Sequence, residues 1–308
     1  MTTLSQMIDE VLINLSGYTY QQDRSTYLTA AVTTLTSPSS SPTILSLGST
    51  DSVGKGIIEV DEELMWVNSF DRVANTATIA PYGRGYLGTT AATHAVDSKV
   101  TISPIFPRYV VKRAINDTIR TMGSQLLVIG QTTFTFNPSV TTYEVTDSNG
   151  SLIENILSMS WQDIGPSKEW IPVRRWSWDA KAETATWGTD AQTVTIGDYI
   201  TAGRTVKVNY LKQPSAMSSS SDVFTTTTGY SETARDIVIL GAAYRLLTYL
   251  DPARASQISP QADEIDAKRT FGSANSAARQ IYALYQQRLK EEISAFQGQF
   301  PTRVHYSR

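Results

Sequence analysis

The chain has 308 residues, a formal net charge of −3 and no cysteine. This length allows one large domain or two smaller ones with a buried core, and the lack of cysteine excludes disulfides and thiolate metal sites. Only 18% of the residues are charged, which is below the usual quarter. Threonine, serine and aromatic residues take the place of the charged residues that are missing. This composition favours either extensive protein–protein contact or simply a β-rich fold.

Charge is distributed unevenly along the chain. Residues 1–106 contain five Lys or Arg and ten Asp or Glu, whereas residues 107–308 contain twenty-one and nineteen. No cationic run is dense enough for a dedicated nucleic-acid arm. The N-terminus has no apolar leader, and the most apolar stretch, Ile237–Leu247, is too short to span a bilayer and contains Arg245. We therefore expect no association with a membrane.

The first predicted element is an amphipathic helix at residues 3–16, within an N-terminal segment 1–25. Short strands separated by turn residues follow in residues 26–105. They include Gly56–Val60, which ends at an acidic turn. Regular spacing of this kind predicts an inserted, small β module resembling a barrel.

A second helix is predicted at residues 107–127, in the segment 106–130, and begins at Pro107. Arg108, Lys112 and Arg120 are spaced by multiples of four, so they line one basic face. This face could contact DNA phosphates or an acidic partner. An ordinary solvated helix face is the simpler interpretation.

Residues 131–212 return to a β pattern and predict a second domain resembling a β-sandwich. A single strand is expected at Trp170–Trp178. Five of the six tryptophans of the chain lie in this domain: Trp161, Trp170, Trp176, Trp178 and Trp187. Clustered tryptophans can line a sugar-binding groove, but packing in the core and between subunits is the interpretation we favour.

Residues 213–308 predict a linker, two C-terminal helices at residues 232–250 and 274–297, and an extended tail. The Ser- and Thr-rich stretch Lys212–Ser231 predicts an exposed loop. Taken together, the N-terminal, middle and C-terminal helices predict an α+β protein whose core is a helical bundle, with the two β domains attached to it.

One motif, Gly83-Arg84-Gly85-Tyr86-Leu87-Gly88, matches the GxGxxG pattern of dinucleotide-binding proteins. Such a site also needs a following helix and an acidic residue about twenty positions later. The next residues have too few apolar positions for a packed helix, and position 108 is arginine. The glycines are better explained as permitting a tight excursion of the β module.

The chain offers few groups for catalysis or metal binding. Its two histidines, His94 and His305, are far apart, and neither has a zinc-ligand spacing around it. The adjacent carboxylates Glu62-Glu63 and Glu291-Glu292 cannot face each other as a glycosidase pair does. We therefore predict no catalytic residue, no metal site and no cofactor.

Three stretches resemble proteins of tailed bacteriophages. The segment GIIEVDEELMWVNSF…RGYLGTTAATHAVDSKV, within Gly56–Val100, is similar to a β module of phage structural proteins. The segments GAAYRLLTYLDPAR, Gly241–Arg254, and LYQQRLKEEISAFQGQFPTRVHYSR, Leu284–Arg308, resemble the C-terminal helices and tail of head-to-tail adaptor proteins, also called neck or connector proteins. The order of predicted elements is similar to the same group.

The resemblance implies a structural virion protein without enzymatic activity, made in the host cytoplasm and located in the neck at the portal vertex. It implies a ring, typically of twelve copies, that binds the portal protein and receives the tail tube or a stopper protein. DNA would pass through the lumen with only non-specific contact. Portal docking is expected from residues of the C-terminal helix and tail: Leu284, Tyr285, Arg288, Phe296, Arg303, His305, Tyr306 and Arg308.

Two alternatives stay open. The module within Gly56–Val100 also resembles parts of baseplate and tail proteins, and a threefold or sixfold copy number would indicate that location. A carbohydrate-binding module built on the tryptophan-rich domain is the other alternative, from a different functional class.

Overall fold

The computed structural model describes residues 1–16, 24–33, 42–165, 168–248 and 273–299. These residues belong to two compact units. The described residues within Leu4–Asn116 and Val238–Tyr285 form one unit, and those within Met1–Thr3, Asp117–Ile237 and Gln286–Arg308 form the other. The first unit contains a closed sheet, and the second contains two packed sheets.

Six α-helices lie in the described residues: α1 Leu4–Ser16, α2 Arg108–Gly123, α3 Thr184–Trp187, α4 Phe224–Thr228, α5 Arg235–Thr248 and α6 Ser273–Gln299. Helix α1 buries a stripe at helical spacing that includes Leu4, Ile8 and Leu15. Helices α2, α5 and α6 each contribute residues to both units.

The first unit contains six strands: β1 Arg24–Tyr27, β2 Thr43–Ser46, β3 Gly56–Val60, β4 Glu63–Asp71, β5 Thr76–Ile79 and β6 Lys99–Ile102. Their order is β1-β6-β3-β4-β5-β2, with antiparallel pairing throughout. The outer strands also meet, because Thr29 N donates to Ser46 O at 2.9 Å and Gly48 N donates to Tyr27 O at 2.9 Å. The sheet therefore closes into a small barrel around buried aliphatic side chains such as Leu45, Ile58 and Val67.

The second unit contains seven strands: β7 Val128–Thr135, β8 Thr142–Glu144, β9 Ile153–Gln162, β10 Trp170–Pro172, β11 Trp176–Asp179, β12 Thr193–Ile196 and β13 Thr205–Lys212. They form a four-stranded sheet, β10-β9-β13-β7, and a three-stranded sheet, β11-β12-β8. Alternate residues of β13, including Val206 and Val208, join Val194 and Ile196 of the other sheet in one core. This arrangement is a sandwich of two sheets.

The single strand predicted at Trp170–Trp178 is in fact two strands in different sheets. Strand β10 ends at Pro172, and β11 begins at Trp176. Proline cannot donate a hydrogen bond to a ladder, and here it stands at the point where the chain leaves one sheet for the other.

The prediction of an α+β mixture is confirmed, but the prediction of a helical-bundle core is wrong. The described residues form mostly antiparallel sheets, and no helical-bundle core is evident among them. The error has a physical cause. A stripe of apolar residues at helical spacing shows that one face of a helix is buried, but it does not identify the element that covers that face.

Part of the stretch expected to be an exposed linker is buried. Met217 is 1% exposed and Phe224, at the start of α4, is fully buried. The Tyr230 hydroxyl donates to Leu126 O at 2.8 Å. The low complexity of the sequence therefore gave no sign that Met217, Phe224 and Tyr230 hold this segment within the second unit.

Candidate functional site

The most distinctive cluster of polar side chains lies inside the barrel. Glu63 begins β4, while Arg84 and His94 belong to the excursion between β5 and β6. Their side chains are only 1%, 4% and 1% exposed, respectively. Asp61, in the turn between β3 and β4, is 58% exposed and completes the cluster. We call these four residues the charged cluster.

Glu63 accepts hydrogen bonds on both carboxylate oxygens. Arg84 Nε donates to Oε1 at 2.6 Å and Arg84 Nη2 donates to Oε2 at 2.9 Å, which is a bidentate pair. The backbone N–H of Gly85 donates to Oε1, and that of Ala92 donates to Oε2, each at 3.0 Å. Arg84 Nη2 also donates to Ala92 O at 2.6 Å. One carboxylate thereby holds the backbone of the excursion at two points, Gly85 and Ala92.

His94 connects the buried and exposed carboxylates. Its Nε2 lies 2.9 Å from Glu63 Oε2, and its Nδ1 lies 2.7 Å from Asp61 Oδ2. Its backbone pairs with Val32 in both directions, at 2.8 and 3.0 Å. The ring is thus held by a carboxylate on each side, and its main chain is held by a neighbouring segment.

These contacts determine the charges of the cluster. Burial alone would raise the pKa of Glu63, but the hydrogen bonds from His94, Arg84 and two backbone N–H groups outweigh it and lower the pKa to about 2. Burial alone would lower the pKa of His94, but its hydrogen bonds to Asp61 and Glu63, and their negative charges, raise that pKa to about 9. At neutral pH the cluster therefore has a buried carboxylate facing two buried cations.

The charged cluster supports an exposed apolar loop. We call residues 82–94 the pinned loop. Tyr82 and Leu87 are 63% and 65% exposed, and both have positive φ angles, of 59° and 54°. Such angles are unfavourable for bulky side chains. The Tyr86 ring lies 5.3 Å from the ring of Trp66, which is itself 37% exposed. The loop thus holds apolar groups in solvent at a conformational cost.

The hydrogen bonds of the charged cluster hold backbone groups and the cluster's own side chains in place. The two oxygens of Glu63 together accept five hydrogen bonds, and both nitrogens of the His94 ring have carboxylate partners. A general acid or base needs contact with its substrate. In the charged cluster Glu63 and His94 are buried and bonded to each other, whereas Asp61 is exposed.

The GxGxxG motif forms part of the pinned loop. Tyr86–Gly88 is a short 3-10 helix, and residues 89–98 contain no helix. Gly85 has a φ of 61°, and a Cβ atom there would lie 2.8 Å from Thr89 O. The motif therefore serves a tight turn, and its context differs from the strand-turn-helix of a dinucleotide site.

The predicted basic face of α2 is largely neutralised by intramolecular pairs. Arg108 donates to Asp9 and also to Ser5 Oγ at 3.0 Å. Lys112 Nζ lies 2.7 Å from Glu62 Oε2. Arg120 is the exposed member, with an 81% exposed side chain 3.9 Å from Asp117. The structure therefore places Arg108 and Lys112 against α1 and the barrel.

Four of the residues expected to dock the portal lie in α6. Leu284 is 47% exposed, whereas Tyr285 is 3% exposed. Arg288 Nε donates to Asp236 Oδ2 at 2.8 Å, and Phe296 is half-buried. The remaining four, Arg303, His305, Tyr306 and Arg308, lie outside the described residues.

Three of the five clustered tryptophans pack against the sandwich core: Trp161, Trp176 and Trp178. Trp170 lies on the outer face, 40% exposed, with Lys207 Nζ 4.2 Å from its ring centroid. Three of the five tryptophans therefore contribute to packing within the sandwich, whereas packing between subunits stays a prediction.

The sandwich has a buried polar group of its own. Asp147 Oδ1 accepts from the Tyr210 hydroxyl at 2.6 Å and from Lys212 Nζ at 2.9 Å. Burial raises the pKa of Tyr210, and the neighbouring Asp147 raises it further, so the hydroxyl stays protonated and donates. The group ties one end of β13 to the segment after β8.

Sequence reasoning missed the charged cluster. Glu62 and Glu63 were considered only as adjacent carboxylates that cannot face each other, but Glu63 is buried at the start of a strand. An arginine and a histidine in an otherwise uncharged, glycine-containing segment, Gly83–Ala95, were the available signal. Each needs an acidic partner if buried, and the acidic turn of the same module supplies it.

No group of three or more His, Cys, Asp or Glu side chains in the described parts of the chain is arranged to hold a metal ion. None of the described helices combines the length and apolarity needed to cross a membrane.

Comparison with models of known protein families gives no match. Comparison with curated proteins gives no significant match either.

Proposed function

We propose that this chain is a structural subunit of a tailed-phage virion, without enzymatic activity, that assembles as the head-to-tail adaptor ring. In this role copies of the chain form a ring, typically of twelve, between the portal protein and the tail tube or a stopper protein. DNA passes through the lumen without being tightly bound. The subunit acts through its surfaces.

One observation carries the proposal: the buried charges of the barrel hold an exposed apolar loop in a strained conformation. Taking an ion pair out of water is costly, and keeping Tyr82 and Leu87 in solvent at positive φ adds to that cost. Preorganised apolar groups reduce the entropy lost on association. A loop built in this way favours a docking element over a solvent-facing turn.

The location of the loop agrees with the resemblance to phage proteins. The similar stretches, residues 56–70 and 84–100, include β3, most of β4, the pinned loop from Arg84 onward and the first two residues of β6. The resemblance therefore covers the residues that form the charged cluster and most of those that the cluster holds.

The electrostatics of α2 agree with a passive DNA channel. Arg108 and Lys112 are paired with Asp9 and Glu62. Each phosphate contact by a free cation strengthens DNA binding, and a strongly basic lining would retain the genome. Cations that are already paired contribute less to such binding.

The proposal is tested by removing the apolar side chains of the loop. The double variant Tyr82→Ser, Leu87→Ser should remain folded and should lose most of its capacity to form rings or to bind portal protein, as counted by electron microscopy of mixtures. Val73→Ser is the matched control, because Val73 is 95% exposed on the same barrel but lies outside the loop.

Rings formed equally well by the double variant would contradict the role of the loop. A threefold or sixfold assembly would instead indicate a baseplate or tail location. Glycan binding by the chain, lost in Trp170→Ala, would favour the carbohydrate-binding alternative.

A further inference from the structure

The strands at the sheet edges of this protein are protected unequally. Strand β7 forms one edge of the four-stranded sheet and pairs only with β13, over eight residues. Its sequence, VIGQTTFT, contains no charged residue and no proline. Natural proteins usually protect a long edge strand with charges, prolines or bulges, because an open edge is a template for a further strand.

The other sheet edges in the described residues are closed, short or blocked. The barrel closes through the segments after β1 and β2. Strand β8 has three residues, and β11 has four and ends in Asp179. Strand β10 has three residues and ends in Pro172.

The position of Pro172 blocks the edge at β10. Val173 N donates to Met159 O, and Asp163 N donates to Glu169 O, both at 2.9 Å. Along an antiparallel strand, the backbone hydrogen-bonding groups of successive residues point to opposite sides. The backbone groups of Glu169 and Val173 point toward β9, so those of Pro172 point outward. The outward position therefore lacks an N–H group.

The same alternation defines the open groups of β7. Phe136 N donates to Arg204 O at 2.7 Å, and Gly203 N donates to Phe136 O at 2.9 Å. The backbone N–H and C=O groups of even-numbered residues in β7 therefore point toward β13. Those of the odd-numbered residues point away from the sheet: Ile129, Gln131, Thr133 and Thr135. No hydrogen bond from another described residue satisfies these four pairs of groups.

We infer that the β7 edge is a contact between copies of this chain, at which the C-terminal segment of a neighbouring copy adds as a strand. The inference rests on the proposed ring, because a ring needs two different, complementary surfaces on each subunit. Strand addition supplies them through backbone hydrogen bonds, with side-chain alternation giving specificity.

The C-terminal segment has the required pattern. Nine residues, FPTRVHYSR, follow the end of α6 at Gln299. Thr302, Val304 and Tyr306 alternate with polar residues, which is the pattern of a half-buried strand.

The two faces of β7 match that alternation. Gly130 and Phe134 lie opposite the buried residues Tyr210 and Val206 of β13, and therefore on the core side. Gln131, Thr133 and Thr135 lie on the outer side. An added strand could place apolar side chains beside Phe134 and its arginines and histidine on the outer side, where β7 carries no cation to repel them.

The absence of cysteine from the chain allows a direct test with full-length protein. Thr133→Cys and Arg303→Cys variants, whose side chains would share the outer side of the sheet, are prepared separately, mixed, and treated with a short bismaleimide crosslinker. The inference predicts a product that joins one copy of each variant. Thr133→Cys alone should give no crosslinked pair, and a pair formed by it alone would show β7–β7 contact and overturn the inference. An absence of the mixed product would also overturn it.

A second variant pair separates this inference from the proposed function. Thr133→Pro removes one outward N–H group without removing a bond to β13, and should lower the fraction of chain in rings by about tenfold or more. Thr133→Val keeps the N–H group and should leave ring formation unchanged. Rings that form normally with Thr133→Pro would refute the edge contact alone. Failure of the wild-type chain to form rings, alone and with portal protein, would refute the proposed function.

Discussion

The barrel and the sandwich use buried polar groups in different ways. In the barrel, Glu63 joins Arg84 and His94 with all three side chains almost fully buried, and their contacts fix a loop that presents apolar groups to solvent. In the sandwich, Asp147 joins Tyr210 and Lys212 and ties a strand end to the adjacent segment. Buried charge thus supports a surface loop in the barrel and holds neighbouring segments together in the sandwich.

The two regions also differ in how they treat sheet edges. The barrel closes its sheet, so its exposed apolar groups lie on a loop. The sandwich keeps one long edge, β7, without protective charge or proline. Each region thus offers one kind of contact: apolar side chains from the barrel and open backbone groups from the sandwich.

The largest expected effect comes from removing the acid of the charged cluster. Glu63→Ala leaves Arg84 and His94 buried without their shared partner, and should lower the free energy of unfolding by about 3–5 kcal/mol. Urea unfolding measures the loss. Hydrogen exchange should also show faster exchange at the amides of Gly85 and Ala92.

The adjacent residue provides the control for that prediction. Glu62→Gln removes a pair with Lys112 in which both side chains are partly exposed, and should cost less than about 1 kcal/mol. Equal losses for the two variants would show that burial does not distinguish these carboxylates.

The pH dependence of the barrel should follow His94. Its pKa is raised from 6.5 to about 9 on folding, so its contribution is fully present below pH 6.5 and is lost as the pH rises through 9. The loss should be about 3 kcal/mol, measured by urea unfolding at several pH values. His94→Gln should abolish this slope, whereas His305→Gln, which alters the only other histidine, should keep it.

Removal of the polar group in the sandwich should have a smaller effect. Asp147→Asn removes the charge that Lys212 pairs with but leaves an acceptor for the Tyr210 hydroxyl. The free energy of unfolding should fall by about 1–2 kcal/mol, because the Lys212 side chain is 12% exposed and reaches water. The exchange rates of amides in β13 locate the change, and a loss as large as that of Glu63→Ala would remove the contrast between the two regions.

The smallest effect is expected in the opposite direction. Leu87→Gly relieves a positive φ angle at an exposed position, and should raise the free energy of unfolding by about 0.5–1 kcal/mol while weakening assembly. Val73→Gly is the control, because Val73 is exposed without a positive φ angle and should lose stability. Stability and assembly that fall together in Leu87→Gly would show that the loop has no strain to release.

The parts of the fold that follow from local patterns could be predicted from the sequence. Helices α1 and α2 and strand β3 lie close to their predicted positions, because apolar spacing and turn residues act locally. The arrangement of the helices could not be predicted, since a buried stripe can face a sheet as well as another helix. The switch of sheets after Pro172 was hidden within a continuous run of aromatic and apolar residues.

The charged cluster lay beyond sequence reasoning for a similar reason. Glu63 and His94 are 31 positions apart, and their 2.9 Å contact depends on the register of β3, β4 and β6. A carboxylate at a strand start gives no sign of its burial. The glycines of the pinned loop were correctly assigned to a tight turn, because the requirement for a positive φ angle is local.

The mass of the species formed by the wild-type chain tests the central claim most directly. Native mass spectrometry of the purified chain, alone and mixed with portal protein, should show a ring of many copies, with twelve as the expected number. A chain that stays monomeric in both samples would contradict the claim that its surfaces are built for assembly.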